Sequence, residues 1–460
     1  MPNYMKTENE ALQYESAGPL IDFFSQAAVQ RMQVLEGKDD LVHLYTKAKN
    51  EDYVLATKTV FWLRDPRTGA GERAAGIKLL KHLAETQPSF ISDNLVQIAE
   101  YGRWKDLENI TDTHLNDVVK EWGAAIKKGD RLASKWAPRK GNLARAIRDE
   151  LGITNAGYRQ LLKNNSETVE QAMCSKDWES INYSTVPSVA MRKYSRAFRK
   201  NDAQRFADFL GDSTQKINTA VNYPHEVVRH ARKDVDVGDK MWTNLPEFTD
   251  SGQYFLAVID VSASMTWVAI DKAGSQPIDV ALALGLYLAE RNVGPFSHKV
   301  ITFSDRPQWI EIDPAHNLHQ KIMQLWHAQV GGNTNVERTY ELILKLANAA
   351  SVPADKMPST LIILSDMQFD ACASNTTHLD NIQKKYKQYG YEAPKLVFWN
   401  LVGGYKGSPI DNRDNVALVS GFSPTILKAV LKNTAIDPIG VLKDAVDGYN
   451  INFDKFDPEL

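Results

Sequence analysis

The fold is decided by one stretch of sequence, Tyr254-Phe255-Leu256-Ala257-Val258-Ile259-Asp260-Val261-Ser262-Ala263-Ser264. Its first six residues are apolar or aromatic, which is typical of a buried β-strand. A carboxylate and two hydroxyls then follow at alternate positions, directly where the strand pattern ends. We therefore expect a strand of an α/β sheet whose carboxyl end carries oxygen ligands.

Two later segments add further oxygen ligands. Gly331-Gly332-Asn333-Thr334-Asn335 precedes a helical pattern, and Leu361-Ile362-Ile363-Leu364-Ser365-Asp366 again ends an apolar strand with polar residues. Carboxylate and hydroxyl oxygens suit a hard divalent cation such as Mg²⁺. Neighbouring strands lie about 4.8 Å apart, so two carboxylates at adjacent strand ends can face one cation. The predicted metal ligands are Asp260, Ser262, Ser264, Thr334 and Asp366. The alternative is that the serines are turn and N-cap residues and that Asp366 is a turn residue.

The composition is that of a soluble globular protein. Of its residues, 43% are hydrophobic and 24% are charged. The length of 460 residues is enough for two or three domains. The sequence contains no run of 18 apolar residues, so no transmembrane helix is expected. Residues 1–8 lack the apolar core of a signal peptide, so secretion is not expected. Cys174 and Cys372 are too few and too far apart for a disulfide framework or a zinc site. These features predict a cytoplasmic protein that does not contact a membrane.

Residues 1–240 contain one helical pattern after another. Apolar residues recur at helical spacing, with short turns between them, in residues 19–34, 51–63, 74–84, 90–99 and 115–126. Helices joined by short turns predict an α-helical domain of HEAT-like repeats.

From about residue 253, strand patterns alternate with helical ones. Strands are predicted at 254–259, 299–303, 308–312, 361–364, 395–401 and 416–419. Helices are predicted at 279–291, 318–326, 336–349, 377–389 and 424–431. This alternation predicts a mostly parallel sheet with helices on both faces, and Pro307 favours an antiparallel edge strand. The predicted domains are a helical domain at 1–240, a linker at 241–252, an α/β domain at 253–437 and a C-terminal extension at 438–460. That extension is expected to hold one helix at 442–449 and a loose end.

The pattern Asp-x-Ser-x-Ser, then a distant Thr and a distant Asp, resembles the metal-ion-dependent adhesion site (MIDAS) of von Willebrand factor A domains. The resemblance covers about residues 250–435 and implies a Rossmann-like fold. It implies that Ser262, Ser264 and Thr334 bind the metal directly, and that Asp260 and Asp366 often act through water. The metal would be Mg²⁺, or another divalent cation such as Mn²⁺ or Ca²⁺. A carboxylate from a protein partner would complete its shell, and no catalysis is implied.

Phrases in the helical half extend the resemblance. They are Arg64-Asp65-Pro66-Arg67-Thr68-Gly69-Ala70-Gly71-Glu72-Arg73, Tyr101-Gly102-Arg103-Trp104-Lys105-Asp106-Leu107, Ser134-Lys135-Trp136-Ala137-Pro138-Arg139-Lys140 and Pro187-Ser188-Val189-Ala190-Met191. Followed by an A domain, they resemble the Ro autoantigen architecture, a TROVE helical module plus a von Willebrand factor A domain. Residues 398–401 and 365–370 resemble a branch of that architecture in plants, fungi, bacteria and large DNA viruses or phages. Ro proteins form ribonucleoproteins with misfolded and small structured noncoding RNAs, so the resemblance implies RNA binding.

The charge distribution also favours an anionic partner. Residues 120–205 hold 18 Lys/Arg against 9 Asp/Glu, in a chain whose net charge is −3. Two basic runs contain the aromatic residues Trp136, Tyr194 and Phe198, and such aromatics can stack on unpaired bases. The alternative is a solvated helix face whose aromatics point into the core. The predicted RNA-binding residues are Lys127, Lys128, Arg131, Lys135, Arg139, Lys140, Arg145, Arg192, Lys193, Arg196, Arg199 and Lys200.

The turn between Arg64 and Arg73 contains Gly69 and Gly71. Backbone amides in such a turn can hold a phosphate, with Arg64, Arg67 and Arg73 nearby. The alternative is a glycine-terminated helix followed by an ordinary turn.

The sequence thus predicts a Ro-like RNA-binding protein with a metal-dependent A domain that binds a partner. One alternative is a scaffold that recruits an acidic partner through the metal and has no RNA role. Another is a metal-dependent nuclease or phosphatase, for which Asp305 and Asp370 are candidate general bases. We expect no catalysis, because no Ser-His-Asp set, acidic dyad or zinc spacing stands out.

Overall fold

The computed structural model divides into two compact units. Residues 1–51 and 222–447 form the sheet unit, and residues 52–221 and 448–460 form the helical unit. The structure describes residues 4–6, 12–37, 40–219, 221–249, 254–304, 306–327, 336–367, 376–403, 415–432 and 437–459.

The strands are, in chain order, β1 (Tyr4–Lys6), β2 (Leu12–Tyr14), β3 (Phe255–Asp260), β4 (Lys299–Phe303), β5 (Trp309–Glu311), β6 (Thr360–Ser365), β7 (Lys395–Asn400) and β8 (Val416–Ser420). The helices before the sheet are α1 (Pro19–Ala27), α2 (Arg31–Glu36), α3 (Leu41–Glu51), α4 (Tyr53–Arg64), α5 (Arg73–Thr86), α6 (Pro88–Asp93), α7 (Leu95–Tyr101), α8 (Thr111–Lys127), α9 (Arg131–Trp136), α10 (Gly141–Leu151), α11 (Asn155–Ser166), α12 (Val169–Ser175), α13 (Ser188–Asn201), α14 (Ala203–Gly211), α15 (Pro224–Ala231) and α16 (Val235–Thr243). Those after β3 are α17 (Pro277–Arg291), α18 (Leu318–Trp326), α19 (Val336–Ala349), α20 (Thr376–Gln388), α21 (Leu427–Lys432) and α22 (Pro438–Val446). The pair β1 and β2 forms a small antiparallel hairpin that the sequence analysis did not predict.

The large sheet has the strand order β5-β4-β3-β6-β7-β8. All neighbours in it are parallel except β4 and β5, so the predicted antiparallel edge strand is confirmed. Successive strands run outward from β3 in one direction and then outward from β6 in the other. The order therefore reverses between β3 and β6, the position where open α/β sheets bind ligands at the strand carboxyl ends.

Both faces of the sheet are covered by apolar helices. On one face, buried residues of α19 and α20 such as Tyr340, Ile343 and Tyr386 pack against alternate strand residues such as Val258 and Ile363. On the other face, α17 packs against β3. Because both faces are covered, β3 and β6 are buried at every position, which explains their continuous apolar runs.

The N-terminal segment belongs to the second face of the sheet. Helix α1 packs against β8, and α15 packs against α17. A Cβ added at Gly403 would lie 2.1 Å from the carbonyl oxygen of Val29, so this approach requires glycine. The structural division therefore differs from the predicted boundary at 240, because the apolar stripes of residues 19–51 and 222–244 pack in the sheet unit.

In the helical unit, helices close in sequence pack in pairs. The contacts join α4 to α5, α8 to α10, α9 to α11 and α13 to α14. Two predicted helices are each broken in two. Residues 19–34 form α1 and α2, and residues 90–99 form α6 and α7. The second break lies at Asn94, whose side-chain amide donates to the carbonyl oxygens of Phe90 and Asn452.

The C-terminal tail is anchored in the helical unit, whereas the sequence analysis expected a loose end. Phe456 stacks on Tyr53 and meets Phe90 edge to face, with ring centroids 5.1 and 5.2 Å apart. The Gln87 side chain donates to the Asp457 carbonyl and accepts from its N–H. These contacts complete the apolar core at the start of the helical unit.

The predicted fold class is confirmed: a helical-repeat region precedes a mostly parallel, Rossmann-like sheet with helices on both faces. Within the described residues, no helix is both long and apolar enough to span a bilayer.

The close packing of α17 on β3 gives a stability prediction. A Cβ at Gly285 would lie 2.4 Å from Cδ1 of the buried Ile259. Overpacking of this kind costs about 1–3 kcal/mol, offset by up to about 1 kcal/mol of helix propensity. We expect Gly285→Ala to lower the thermal unfolding temperature, measured by circular dichroism.

Gly211→Ala on α14 is the matched control, since a Cβ there meets nothing within 4 Å. It should leave the unfolding temperature unchanged or slightly raised. An unfolding temperature for Gly285→Ala at or above that of the wild type would contradict the close packing of α17 on β3.

Candidate functional site

Asp260 is the last residue of β3 and is completely buried. Its Oδ1 accepts a hydrogen bond from the Ser262 backbone N–H at 2.9 Å. Its Oδ2 accepts one from the Ser365 hydroxyl, at the end of β6, at 2.6 Å. The two bonds fix the carboxylate at the point where the strand order reverses.

The two predicted serine ligands lie in the turn that follows. Ser262 precedes a short 3₁₀ turn at Ala263–Thr266, and Met265 of that turn is buried. The buried methionine anchors the turn, and the Ser262 and Ser264 hydroxyl oxygens lie 3.0 Å apart. Three of the five predicted ligands are thus close together on one strand end.

Asp366 approaches from the neighbouring strand. Ile259 of β3 is in register with Leu364 of β6, so Asp260 is level with Ser365 and Asp366 is one residue beyond. Asp366 is 5% exposed. The parallel pairing therefore brings both predicted carboxylates to one buried edge. Thr334, the fifth predicted ligand, lies outside the described residues, as do Asp305 and Asp370.

The backbone after Asp366 adopts an unusual conformation. Met367 has φ of 71°, in the left-handed region that non-glycine residues rarely occupy. It is buried in the sheet core, and its N–H donates to the Ser365 hydroxyl at 3.1 Å. Ser365 thus links the Asp260 carboxylate to the backbone that carries Asp366. We attribute the left-handed turn to this bond and to the burial of the Met367 side chain.

Burial raises the pKa of Asp260 to about 7, and the negative charge of Asp366 adds to this rise. The hydrogen bonds from Ser365 and Ser262 lower the pKa, but by less. A cation between the carboxylates would remove their mutual repulsion. The donor set of two carboxylates and two hydroxyls fits a hard divalent ion. Among the described residues, no group of three or more His, Cys, Asp or Glu could hold a metal, so a cation here also depends on hydroxyl oxygens.

The predicted RNA-binding residues all lie in the helical unit. Lys135 and Arg192 are half-buried, and the other ten are exposed. On α13, Arg192, Arg196 and Lys200 follow one another at four-residue spacing, while Met191, Ser195 and Phe198 are buried on the opposite side. The predicted cationic face of this helix is therefore directed away from the core.

Arg131 has a structural role in addition to its charge. Its guanidinium donates to the carbonyl oxygens of Ser166, at 3.2 Å, and Glu167, at 2.9 Å. Both carbonyls lie at the carboxyl end of α11, where helix carbonyls lack intrahelical partners. Replacing Arg131 would therefore disturb the fold, and it is a poor probe of RNA binding.

The aromatic residues of the basic runs differ in exposure. Phe198 is completely buried and contacts Tyr183 and Phe206, so it is a core residue. Tyr194 and Trp136 are half-buried. The Lys135 ammonium lies 5.7 Å from the centre of the Trp136 ring. Of the three aromatics, only the two half-buried ones retain surface that a base could contact.

Four backbone N–H groups of the turn between α4 and α5 already have partners within the protein. The Arg67 and Thr68 N–H groups donate to the Asp65 carboxylate. Those of Ala70 and Glu72 donate to the carbonyls of Trp62 and Leu63. Helix α4 ends at Arg64, and its C-cap residue is Asp65 in an extended conformation, so the glycine termination that the alternative interpretation expected is wrong.

The sequence analysis missed the role of Arg103 and Asp106. Arg64, at the end of α4, is buried and forms an ion pair of 2.5 Å with the buried Asp106. The Arg103 N–H donates to the same carboxylate at 3.0 Å. The bond between Arg103 and Asp106 is a local cap of a short 3₁₀ helix, but no local spacing signals the ion pair, since more than forty residues separate Arg64 from Asp106.

Two family models and one curated relative match the chain. Two family models match, each described as a domain of unknown function: DUF2828 over residues 138–252 and DUF7788 over residues 255–452. A curated relative, an uncharacterized protein of Acanthamoeba polyphaga mimivirus, is 29% identical. The alignment covers 98% of this chain and 89% of that relative, so the arrangement of both halves is shared with it.

Among solved structures, the chain is similar to the crystal structure of the Deinococcus radiodurans Ro (RSR) protein. The two are 14% identical, the TM-score is 0.40, and the match covers 92% of this chain and 93% of that one. A similarity at this level does not by itself define a function.

The raised pKa of Asp260 predicts how the stability of the metal-free protein depends on pH. In the unfolded chain the pKa returns to about its ordinary value, 3.8. Between that value and about 7 the folded protein binds more protons, so this group makes stability fall as pH rises. With a chelator present, Asp260→Asn should unfold at a higher temperature than wild type at pH 8, measured by differential scanning fluorimetry. The advantage should shrink towards pH 5.

Asp271→Asn in the following loop is the matched control. Burial opposes ionisation of Asp271, but Ser275 hydrogen bonds and the Arg229 charge outweigh it and lower its pKa. This replacement should therefore destabilise the protein at neutral pH. Equal shifts for Asp260→Asn at pH 5 and pH 8 would show that Asp260 is not a buried, repelled carboxylate.

Proposed function

We propose that this chain is an RNA-binding protein whose sheet unit holds a divalent cation and through it binds a carboxylate-bearing partner. The observation that carries the cation site is the placement of Asp260 and Asp366 at adjacent strand ends, both buried and repelling each other. Like charges in a low-dielectric site are costly, and a divalent cation would turn repulsion into attraction.

The chemistry of this donor set favours binding over catalysis. Two carboxylates neutralise a divalent ion, and Mg²⁺ usually retains several exchangeable waters. An incoming carboxylate can replace one of these waters. The hydroxyls of Ser262 and Ser264 are held 3.0 Å apart in the anchored turn and are suited to bind the cation or its waters. The adhesion-site resemblance predicts the same mode of partner binding.

RNA binding is supported by the exposed cations of the helical unit. Arg139, Lys140, Arg196 and Arg199 are exposed on α13 and between α9 and α10, in the segment with twice as many basic as acidic residues. Exposed cations at this density bind phosphates, and Trp136 adds partly exposed aromatic surface among them. The resemblance to Ro proteins favours RNA over other polyanions.

One observation favours the scaffold function without an RNA role. Trp267 is 70% exposed and Val268 is 44% exposed, immediately after the turn that carries Ser264. An exposed tryptophan beside a ligand position is typical of protein interfaces. A partner could then dock on this apolar surface while its carboxylate binds the cation.

The cation site predicts a thermal response to metal. Wild-type protein should be stabilised by Mg²⁺, Mn²⁺ or Ca²⁺ against a chelator, with an increase of a few degrees at saturating metal. Asp366→Asn and the double variant Ser262→Ala with Ser264→Ala should lose most of this response, because each removes ligands. Differential scanning fluorimetry with a metal titration measures it.

Ser420→Ala is the control for the serine variants, because Ser420 is also a buried serine at a strand carboxyl end, two strands from β6. It should keep the full metal response. If wild type and Asp366→Asn respond equally to every cation, the proposed metal site is wrong.

RNA binding predicts a steep dependence on salt. For single-stranded RNA, log K should fall against log salt with a slope of about −0.7 per phosphate contacted. Replacing Arg139, Lys140, Arg196 and Arg199 by Glu should weaken binding strongly and flatten this slope. Fluorescence anisotropy with a labelled single-stranded RNA, at several salt concentrations, measures both.

The matched control reverses four exposed lysines of the sheet unit, Lys272, Lys345, Lys384 and Lys387, which makes the same change in net charge. It should preserve most of the affinity. If both quadruple variants lose affinity equally, the effect is one of net charge and the helical surface is not specific. If wild type binds no RNA at low salt, the scaffold function is the better explanation.

A further inference from the structure

Three arginines of the helical unit lie near enough to Arg103 to act on its charge, and we call the four the arginine cluster: Arg64, Arg67, Arg73 and Arg103. Burial and then the positive charge of Arg64 lower the pKa of Arg103, and Arg73 and Arg67 lower it further. Asp106 is the one carboxylate among its named electrostatic partners. Among the charges that act most strongly on this guanidinium, the like charges outnumber the opposite one.

The nearby carboxylates are already engaged. Asp106 pairs with Arg64, and the Asp65 carboxylate accepts hydrogen bonds from the hydroxyls of Thr68 and Tyr449. Glu72 is buried at the start of α5. The remaining positive charge is carried by the exposed Arg67 and Arg73 and the half-buried Arg103, so it faces solvent.

Packing holds the cluster in place. A Cβ on Gly76 would lie 2.8 Å from the Arg64 Cβ, and one on Gly102 would lie 2.6 Å from Asp106 Oδ2. The Arg67 guanidinium donates to the Glu100 carbonyl at 2.8 Å. These close approaches fix the backbones that carry the arginines, so the charges are assembled before any ligand arrives.

Trp136 connects the arginine cluster to the first basic run. The Arg103 guanidinium lies 5.8 Å from the centre of the Trp136 ring, and the Lys135 ammonium lies 5.7 Å from it. Lys135 and Trp136 lie on α9, next to Arg139 and Lys140. Cations from two segments, Arg103 and Lys135, thus meet around one partly exposed aromatic ring.

We propose that the arginine cluster binds a phosphate group of single-stranded nucleic acid, with the adjacent Trp136 contacting the neighbouring nucleotide. Planar guanidinium groups suit phosphate because each can donate two parallel hydrogen bonds. An aromatic ring beside the phosphate position favours a nucleic acid over a phosphopeptide, since a base can stack on it. The inference rests on the proposed RNA-binding function and adds a specific phosphate site to it.

The test uses the full chain with Arg73→Gln and Arg103→Gln combined. Arg64 is left unchanged because its buried ion pair supports the fold. The first probe is inorganic phosphate. The thermal unfolding temperature in sodium phosphate is compared with that in sodium chloride at equal ionic strength. The second is a labelled single-stranded oligouridylate, read by anisotropy. The matched control combines Arg159→Gln and Lys163→Gln, two exposed cations on α11.

We expect phosphate to stabilise wild type and the control more than chloride does, and to lose this advantage in the double variant. Affinity for the oligouridylate should fall about tenfold or more. The slope against salt should flatten by about 0.7, since one phosphate contact is removed. When Arg103→Lys takes the place of Arg103→Gln in the double variant, the slope should be restored but the affinity only in part. Lysine keeps the positive charge but lacks the paired donors of arginine.

Two outcomes would overturn the inference. If the double variant loses the phosphate response but binds oligouridylate as wild type does, the cluster takes a free anion and not a nucleic-acid phosphate. If it loses neither, the cluster is no anion site. Failure of wild type to bind any RNA would instead refute the proposed function, and the phosphate arm would still report on the cluster.

Discussion

The parallel pairing of β3 with β6 is the constraint on which the candidate metal site depends. Neighbouring parallel strands end at the same edge, so Asp260 and Asp366 come together without any loop having to carry them there. The pairing also lies where the strand order reverses, the position at which open α/β sheets bind ligands. Ser365 then joins the two strand ends through its bonds to Asp260 and Met367. The position of the charges is set by the rigid sheet, and the serine turn adds neutral oxygens to it.

A sheet of this kind has to be covered on both faces, and here the covering helices come from distant parts of the sequence. Helix α1 lies against β8, although nearly four hundred residues separate them. Residues 1–51 belong to the sheet unit and residues 52–221 to the helical unit. Residues 222–447 belong to the sheet unit again, and residues 448–460 to the helical unit. Helix α1 is therefore synthesised long before β8, the strand against which it packs. Contacts so distant in sequence make folding of the sheet unit slow relative to a unit built from local contacts.

The sequence predicted what depends on local patterns. The strand predicted at 299–303 has the observed bounds of β4, and the two serines of Asp-x-Ser-x-Ser lie in a turn directly after a strand. The partners against which helices pack could not be predicted from local patterns. The apolar stripe of α1, for example, indicates that the helix is buried, but it does not indicate that β8 is its partner. Asn94 divides a predicted helix because its side chain bonds to the C-terminal tail, a contact with no local signal. Arg64, Arg67 and Arg73 were named from the sequence as arginines near a possible phosphate, but Arg103 was missed for the same reason: it lies outside both basic runs and joins Arg64 only in the folded chain.

Each of the two units contains a buried or half-buried charged group with like charges beside it, negative in the sheet unit and positive in the helical unit. In the sheet unit, burial and a neighbouring carboxylate disfavour the charged form of Asp260. In the helical unit, burial and neighbouring guanidiniums disfavour the charged form of Arg103. Each arrangement raises the free energy of the ligand-free protein and would be relieved by a ligand of opposite charge, a cation in one unit and a phosphate in the other. A carboxylate can respond by taking up a proton near neutral pH, whereas an arginine cannot lose one in the physiological range. A cation at the first site would therefore compete with protons, and a phosphate at the arginine cluster would compete mainly with the salt ions of the solvent.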